Sequence, residues 1–289
     1  MSVVSMAEIV GPARAAGLGV GAFNVIGIEH AEAIVAGAEA AGTPVVVAVS
    51  ENCVRYHGAL GPIGAACARI AASAATPVAL HLDHVTEEEL VREAAELGFG
   101  SVMFDASVLP YAENVAATAQ VARWCHDRGL WVEAELGEIG GKNGLHAPEA
   151  RTDPDEAAAY VAATGTDALA VAVGSSHAML TRDAVLDLDL ITRLQRRLTV
   201  PLVLHGSSGI GDDTLAAAVR AGMTKINIAT QLNKVFTAAV RGRLAADPAL
   251  VDPRKYERPG RDAIAAEVAR LLQVIGAQEI GAQVIGARN

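Results

Sequence analysis

The chain has 289 residues, 52% of them hydrophobic and 19% charged, so it can bury a large core and is not a disordered segment. Asp and Glu outnumber Lys and Arg 33 to 23, giving a net charge of −10 with no basic run, which argues against nucleic acid or an anionic membrane as a partner. The most apolar window, residues 63–80, carries Arg69, so no stretch reaches the roughly 18 uncharged residues of a transmembrane helix. The N-terminus meets Glu8 without a basic flank and does not read as a signal peptide. Cys53, Cys67 and Cys125 form no C-x-x-C pair, and their odd number does not suit a disulfide framework. A soluble cytoplasmic protein is expected.

In chain order, apolar runs bounded by Gly, Pro, Asp or Ser predict strands at 20–25, 45–50, 78–84, 101–106, 131–137, 168–174, 202–206 and 225–230. Most are continuous rather than alternating, as suits parallel strands covered on both faces. Ala-, Glu- and Leu-rich segments between them predict helices at 30–41, 87–97, 115–128, 154–163, 188–197 and 212–221. Thr86 and Glu89 form a capping-box pattern at the second of these. Gly42, Gly98, Gly129, Gly165 and Gly222 stand where helices close. This alternation predicts one (β/α)8 TIM barrel domain over residues 1–289. A doubly wound sheet is the competitor, but no G-x-G-x-x-G turn follows the first strand; Gly17, Gly19 and Gly21 come before or at its start. Two segments fall outside the pattern. Residues 137–153 are expected to be a mobile active-site loop. Residues 274–289 hold an imperfect Ile-Gly-Ala repeat, either a helical tail or an oligomer contact.

Barrel active sites lie at the C-terminal strand ends. There the eight strands deliver Asn24; Ser50; Asp83 and His84; Asp105; Glu133 and Glu135; Ser175, Ser176 and His177; His205, Gly206 and Ser207; and Asn227 and Thr230. His84, His177 and His205, on three strands, make a reasonable zinc set that leaves a position open for a substrate carbonyl. Any one of them could instead be an ordinary core histidine, the role expected of His81; His30, His57, His126 and His146 are given no metal role. Asp83 suits proton transfer beside a metal, or alternatively the orienting of a ligand histidine. Asp105 and Glu135 sit in apolar strand settings that imply a cation or a hydrogen-bond network. Glu133 shares a strand face with Glu135, and structural ion pairing or a second metal position would explain the pair. The turns 205–209 and 225–230 together suit a phosphate, held by backbone N–H groups and a helix N-terminus.

Ala22-Phe23-Asn24-Val25, His81-Leu82-Asp83-His84, Glu133-Ala134-Glu135-Leu136-Gly137, Gly140-Gly141, His177, Leu204-His205-Gly206-Ser207-Ser208 and Asn227-Ile228-Ala229-Thr230 occur in this order. Together, over about Gly21 to Arg258, they resemble the class II, zinc-dependent ketose-bisphosphate aldolases. The resemblance implies a lyase that splits fructose 1,6-bisphosphate into dihydroxyacetone phosphate and glyceraldehyde 3-phosphate through a zinc-stabilised enediolate, with tagatose 1,6-bisphosphate or another ketose phosphate as the alternative substrate. It implies His84, His177 and His205 as ligands of one catalytic Zn2+. Asp105 and Glu135 would hold an alternative or second cation, and Asp83 would exchange a proton with the C4 hydroxyl or the aldehyde oxygen. Asn24, Ser50, Ala178, Gly206, Ser207, Ser208, Asn227, Ile228, Ala229 and Thr230 would bind the substrate and its first phosphate, and Arg258 the second. Homodimers or tetramers are implied as well. No Schiff-base role falls to Lys225.

Two positions depart from the family pattern. Ala178 stands where relatives often carry Gly, and Asn143 where many carry a Glu that moves the C3 proton. Glu138, His146 or Glu149 could substitute for that base. The Asn143 departure motivates a rival reading, a non-catalytic metal-binding barrel subunit of an aldolase complex. A zinc hydrolase using Asp83 is a further rival, which would not need the two phosphate turns.

Overall fold

The strand β1 (Val20–Asn24) is buried at every position, as a strand covered on one side by helices and on the other by a closed interior must be. The protein is described by a computed structural model covering residues 2–137, 151–176 and 179–277. Among the described residues, β1 is followed by β2 (Val45–Ser50), β3 (Val78–Val85), β4 (Ser101–Phe104), β5 (Trp131–Glu135), β6 (Ala168–Ala170), β7 (Leu202–Leu204) and β8 (Met223–Ile228). All pair in parallel, each with the next, and β8 returns to β1 through Val20↔Lys225 and Ala22↔Asn227, closing the barrel.

The helices are α1 (Met6–Ala16), α2 (Ile28–Ala41), α3 (Glu51–His57), α4 (Leu60–Ser73), α5 (Glu88–Glu96), α6 (Tyr111–His126), α7 (Pro154–Thr164), α8 (Leu188–Arg197), α9 (Asp212–Ala221), α10 (Thr230–Ala246) and α11 (Pro253–Val274). Helix α1 precedes the alternation. It buries Met6, Ile9, Val10 and Ala13 against the barrel, and the residues just before it bond to Val78 at the start of β3. All five predicted helix-closing glycines have positive φ, so each ends its helix where a side chain would be strained.

Several expectations need correction: β4 and β5 end at Phe104 and Glu135, two residues before the expected 106 and 137, and α6 runs Tyr111–His126 rather than 115–128. Strands β6 and β7 stop at Ala170 and Leu204 rather than at 174 and 206, because the chain leaves the sheet early to form the loops of the site. Strand β8 begins and ends two residues earlier than 225–230. The Thr86–Glu89 capping box is absent: Glu87 occupies the cap position without a side-chain bond, and the Thr86 side chain is taken up by Glu51. No described helix is long and apolar enough to cross a membrane.

Most apolar burial lies between sheet and helices, with a small cluster of Met103, Ala168, Ala170, Ala172 and Val203 inside the barrel. The interior also holds a polar layer: His81, Glu133 and Lys225 are completely buried there. Charge in a barrel core is costly unless paired, so this layer has to form a network.

Candidate active site

The site begins with an irregularity in β3. Leu82 pairs with Val102 but Val85 pairs with Phe104, so β3 carries one extra residue between these points. A regular strand sends consecutive side chains to opposite faces. Here the bulge, with His84 at φ +52°, lets Asp83 and His84 both face the same cavity.

Carboxylates then fix which nitrogen each histidine presents. His84 Nδ1 lies 2.8 Å from Asp105 Oδ2, and Asp105 Oδ1 accepts from the Ser107 hydroxyl at 2.6 Å. His205 Nε2 lies 2.9 Å from Glu133 Oε1. Each of those nitrogens donates its proton to a carboxylate, which leaves a lone pair on His84 Nε2 and on His205 Nδ1. These two atoms are 3.0 Å apart. Two lone pairs meeting so closely suit a shared cation between them. Asp83, His84 and His205 offer ligand atoms all within 4.8 Å of one another, as do His84, Asp105 and Glu135. Imidazole and carboxylate donors of this kind fit Zn2+. His177 and Ala178 lie outside the described residues, as do Glu138, Asn143, His146 and Glu149.

Asp83 is held from both sides. Asn24 Nδ2 donates to its Oδ2 at 2.8 Å and Asn227 Nδ2 to its Oδ1 at 3.2 Å. Burial pushes the carboxyl up, but His84, His205, Lys225 and His81 together outweigh burial and hold it far below the usual range. Beneath it, Lys225 Nζ donates to Glu133 Oε2 at 2.8 Å and to Asn227 Oδ1 at 2.8 Å. Burial also pushes Glu133 up, yet Lys225 and the His205 bond bring it down to about 2. Burial lowers His205, against the raising effect of Glu133, and lowers His81 to about 3, where Lys225 adds to the effect. Both rings are therefore neutral near pH 7, the form in which imidazole binds a metal.

A cavity of about 170 Å³ opens above this network, and the predicted residues Asn24, Ser50, Asp83, His84, His205, Gly206, Ser207, Ser208, Asn227, Ala229 and Thr230 line it. Gly206 has φ +69°, and a Cβ there would stand 2.5 Å from the backbone oxygen of Ser176. Only glycine lets the β7 loop pass the segment leading to His177. Replacing Gly206 with Ala should lower stability by roughly 1–3 kcal/mol, read as a drop in the urea midpoint. Ser208 Oγ accepts from the Gln231 N–H at 3.0 Å and so ties the β7 turn to the start of α10.

Not every predicted residue converges. Ile228 is buried at the end of β8 and does not line the cavity. Arg258 also lies off the cavity: it is on α11 with a side chain 75% exposed, 3.8 Å from Asp262. Its helix turns Gly260, Ile264 and Val268 inward, leaving Arg258 on the solvent side. Asp105 bonds His84, and Glu135 is fully buried within the second ligand cluster. Glu133 resolves into ion pairing rather than the second cluster. Sequence reasoning missed Ile26 and Asn52 in the lining and the whole role of Lys225. The only signal for Lys225 was its presence in an apolar strand.

The family described as Fructose-bisphosphate aldolase class-II matches residues 4–279. The chain belongs to the class II fructose-bisphosphate aldolase family. This class II aldolase, a carbon–carbon lyase, is 39% identical over 287 residues to a protein named fructose-bisphosphate aldolase from Geobacillus stearothermophilus, covering 98% of this chain and all of the relative. Among solved structures it resembles the YdjI aldolase of Escherichia coli (TM-score 0.85, 30% identity, 96% of this chain and 98% of that one). It also resembles a putative fructose-1,6-bisphosphate aldolase from Coccidioides immitis (TM-score 0.84, 26% identity, 96% and 97%). The barrel and the aldolase activity expected from the sequence both stand.

Proposed function

We propose that this aldolase reversibly cleaves fructose 1,6-bisphosphate to dihydroxyacetone phosphate and glyceraldehyde 3-phosphate, with zinc held by His84, His177 and His205. The observation that carries this reading is the approach of His84 Nε2 and His205 Nδ1 to 3.0 Å beside the carboxylate of Asp83. When bound, zinc supplies Lewis acidity that stabilises the negative charge developing on the ketone oxygen. The chain's own residues move the C4 proton, hold the phosphate and orient the ligands, and Glu138, His146 or Glu149 would carry the proton that C3 gains. Asp83, ionised and held by Asn24 and Asn227, takes the proton of the C4 hydroxyl as the C3–C4 bond breaks, and returns it to the aldehyde oxygen in the reverse direction. Gly206, Ser207, Ser208, Asn227, Ala229 and Thr230 hold the phosphate of the three-carbon ketone through small residues and the start of α10. Asp105 and Glu133 keep the two histidines in the required tautomers.

A coupled assay for dihydroxyacetone phosphate tests the reading. Turnover of fructose 1,6-bisphosphate should disappear with a chelator and return with zinc. Turnover of tagatose 1,6-bisphosphate alone would reassign the substrate. No turnover of either sugar by zinc-loaded protein would favour the non-catalytic subunit.

A further inference from the structure

One buried carboxylate has no place in the chemistry above. Glu51 opens α3 and is 3% exposed. Its Oε2 accepts the backbone N–H of Thr86 at 2.6 Å, and the Thr86 hydroxyl donates to both of its oxygens at 3.0 Å. Arg55, one turn along α3, pairs with it from the solvent side. Thr86 lies two residues beyond His84, just past the bulge.

The bulge needs such an anchor. A non-glycine residue at positive φ costs roughly 1–3 kcal/mol and persists only where its surroundings over-determine it. If the strand relaxed to a regular pleat, His84 would turn to the opposite face from Asp83. Before the bulge, β3 is pinned by its ladder with β2, which runs through Ser50↔Asp83. After it, the Asp105 N–H donates to the Val85 oxygen at 2.7 Å, fixing the strand to β4. Thr86 is then tied to α3 through Glu51. Asp105, which orients the His84 ring, and Glu51, which fixes the backbone just past it, thus set the ring and the main chain separately.

We propose that Glu51 is a positioning residue for the metal site, holding the β3 bulge so that His84 faces its partner ligands. The inference rests on the reading of His84 as a zinc ligand. Its test is an equilibrium zinc competition against a chromogenic chelator on the full chain, with the visible spectrum of the cobalt-substituted protein as a report of ligand geometry. The Glu51→Ala variant should bind zinc roughly 10–100-fold more weakly and change its cobalt spectrum. The Glu51→Gln variant should stay close to the unmodified protein, because the amide oxygen still accepts from Thr86. The Ser5→Ala variant, which breaks the capping box of α1 at the far, N-terminal end of the strands, should lower thermal stability and leave zinc affinity unchanged.

Unaltered zinc affinity and cobalt spectrum in Glu51→Ala would overturn the proposal, and so would an equal loss of affinity in Ser5→Ala. If Glu51→Ala does not fold, Glu51→Asp decides: the shorter side chain draws the carboxylate back from the Thr86 N–H while keeping its charge, so weaker zinc binding supports the clamp and unchanged binding refutes it. Failure of the unmodified protein to bind zinc would remove the metal reading itself, and the clamp with it.

Discussion

Asp83→Ala is expected to keep its zinc and lose cleavage of the bisphosphate by about 10²–10⁴-fold, the range for removing a positioned acid–base group. The carboxylate has two conceivable roles, because it lies in a ligand cluster with His84 and His205. Its hydrogen bonds favour the proton-transfer role: amides from Asn24 and Asn227 engage one oxygen each, so its orientation is set by the protein. The step it serves concerns only the C4 oxygen. Exchange of the C3 proton of dihydroxyacetone phosphate with solvent, a reaction without any C4 oxygen, should therefore survive in the variant. Metal analysis, cleavage rate and proton exchange measured on one preparation discriminate the roles. Loss of zinc would make Asp83 a ligand, and survival of cleavage would remove it from the mechanism.

The barrel was legible because its strands are buried on both sides and leave continuous apolar runs. Residues 45–50, 188–197 and 212–221 match their observed elements to the residue, and the early ends of β6 and β7 reflect loop geometry that periodicity does not encode. The site was legible as a set of polar groups at one rim. What the sequence could not express was how they meet. Alternation would place Asp83 and His84 on opposite faces, and only the bulge, which depends on partners in α3 and β4, brings them together. Thr86 carries a capping signature that a distant carboxylate, Glu51, overrides. Glu133 was ambiguous because its partners, His205 and Lys225, are 72 and 92 residues away. Arg258 was expected to meet the second phosphate, yet the turn of α11 leaves it on the surface of the chain, 75% exposed.

Lys225→Met should destabilise the zinc-free protein by about 3–5 kcal/mol at pH 7, because it strips a buried carboxylate of its cation while keeping the side-chain volume. Glu133 and Lys225 are both completely buried, so water cannot replace the lost ammonium. Adding Glu133→Gln to Lys225→Met should restore part of the loss, since no uncompensated charge then remains. The pH dependence follows from the same network. Glu133 is lowered from an ordinary 4.5 to about 2 and His81 from 6.5 to about 3. In each case the unfolded chain takes up its proton at the higher pH, so stability is lost as pH falls, from about 6.5 for the histidine and about 4.5 for the glutamate. Lys225→Met lets Glu133 protonate more readily in the folded state, so the gap between the variant and the unmodified protein should be widest near neutrality and narrow below pH about 4.5. Urea denaturation of chelator-treated protein at several pH values measures this. A loss below about 1 kcal/mol that does not change with pH, the size of an exposed pair, would mean that His205 rather than Lys225 provides the charge compensation for Glu133.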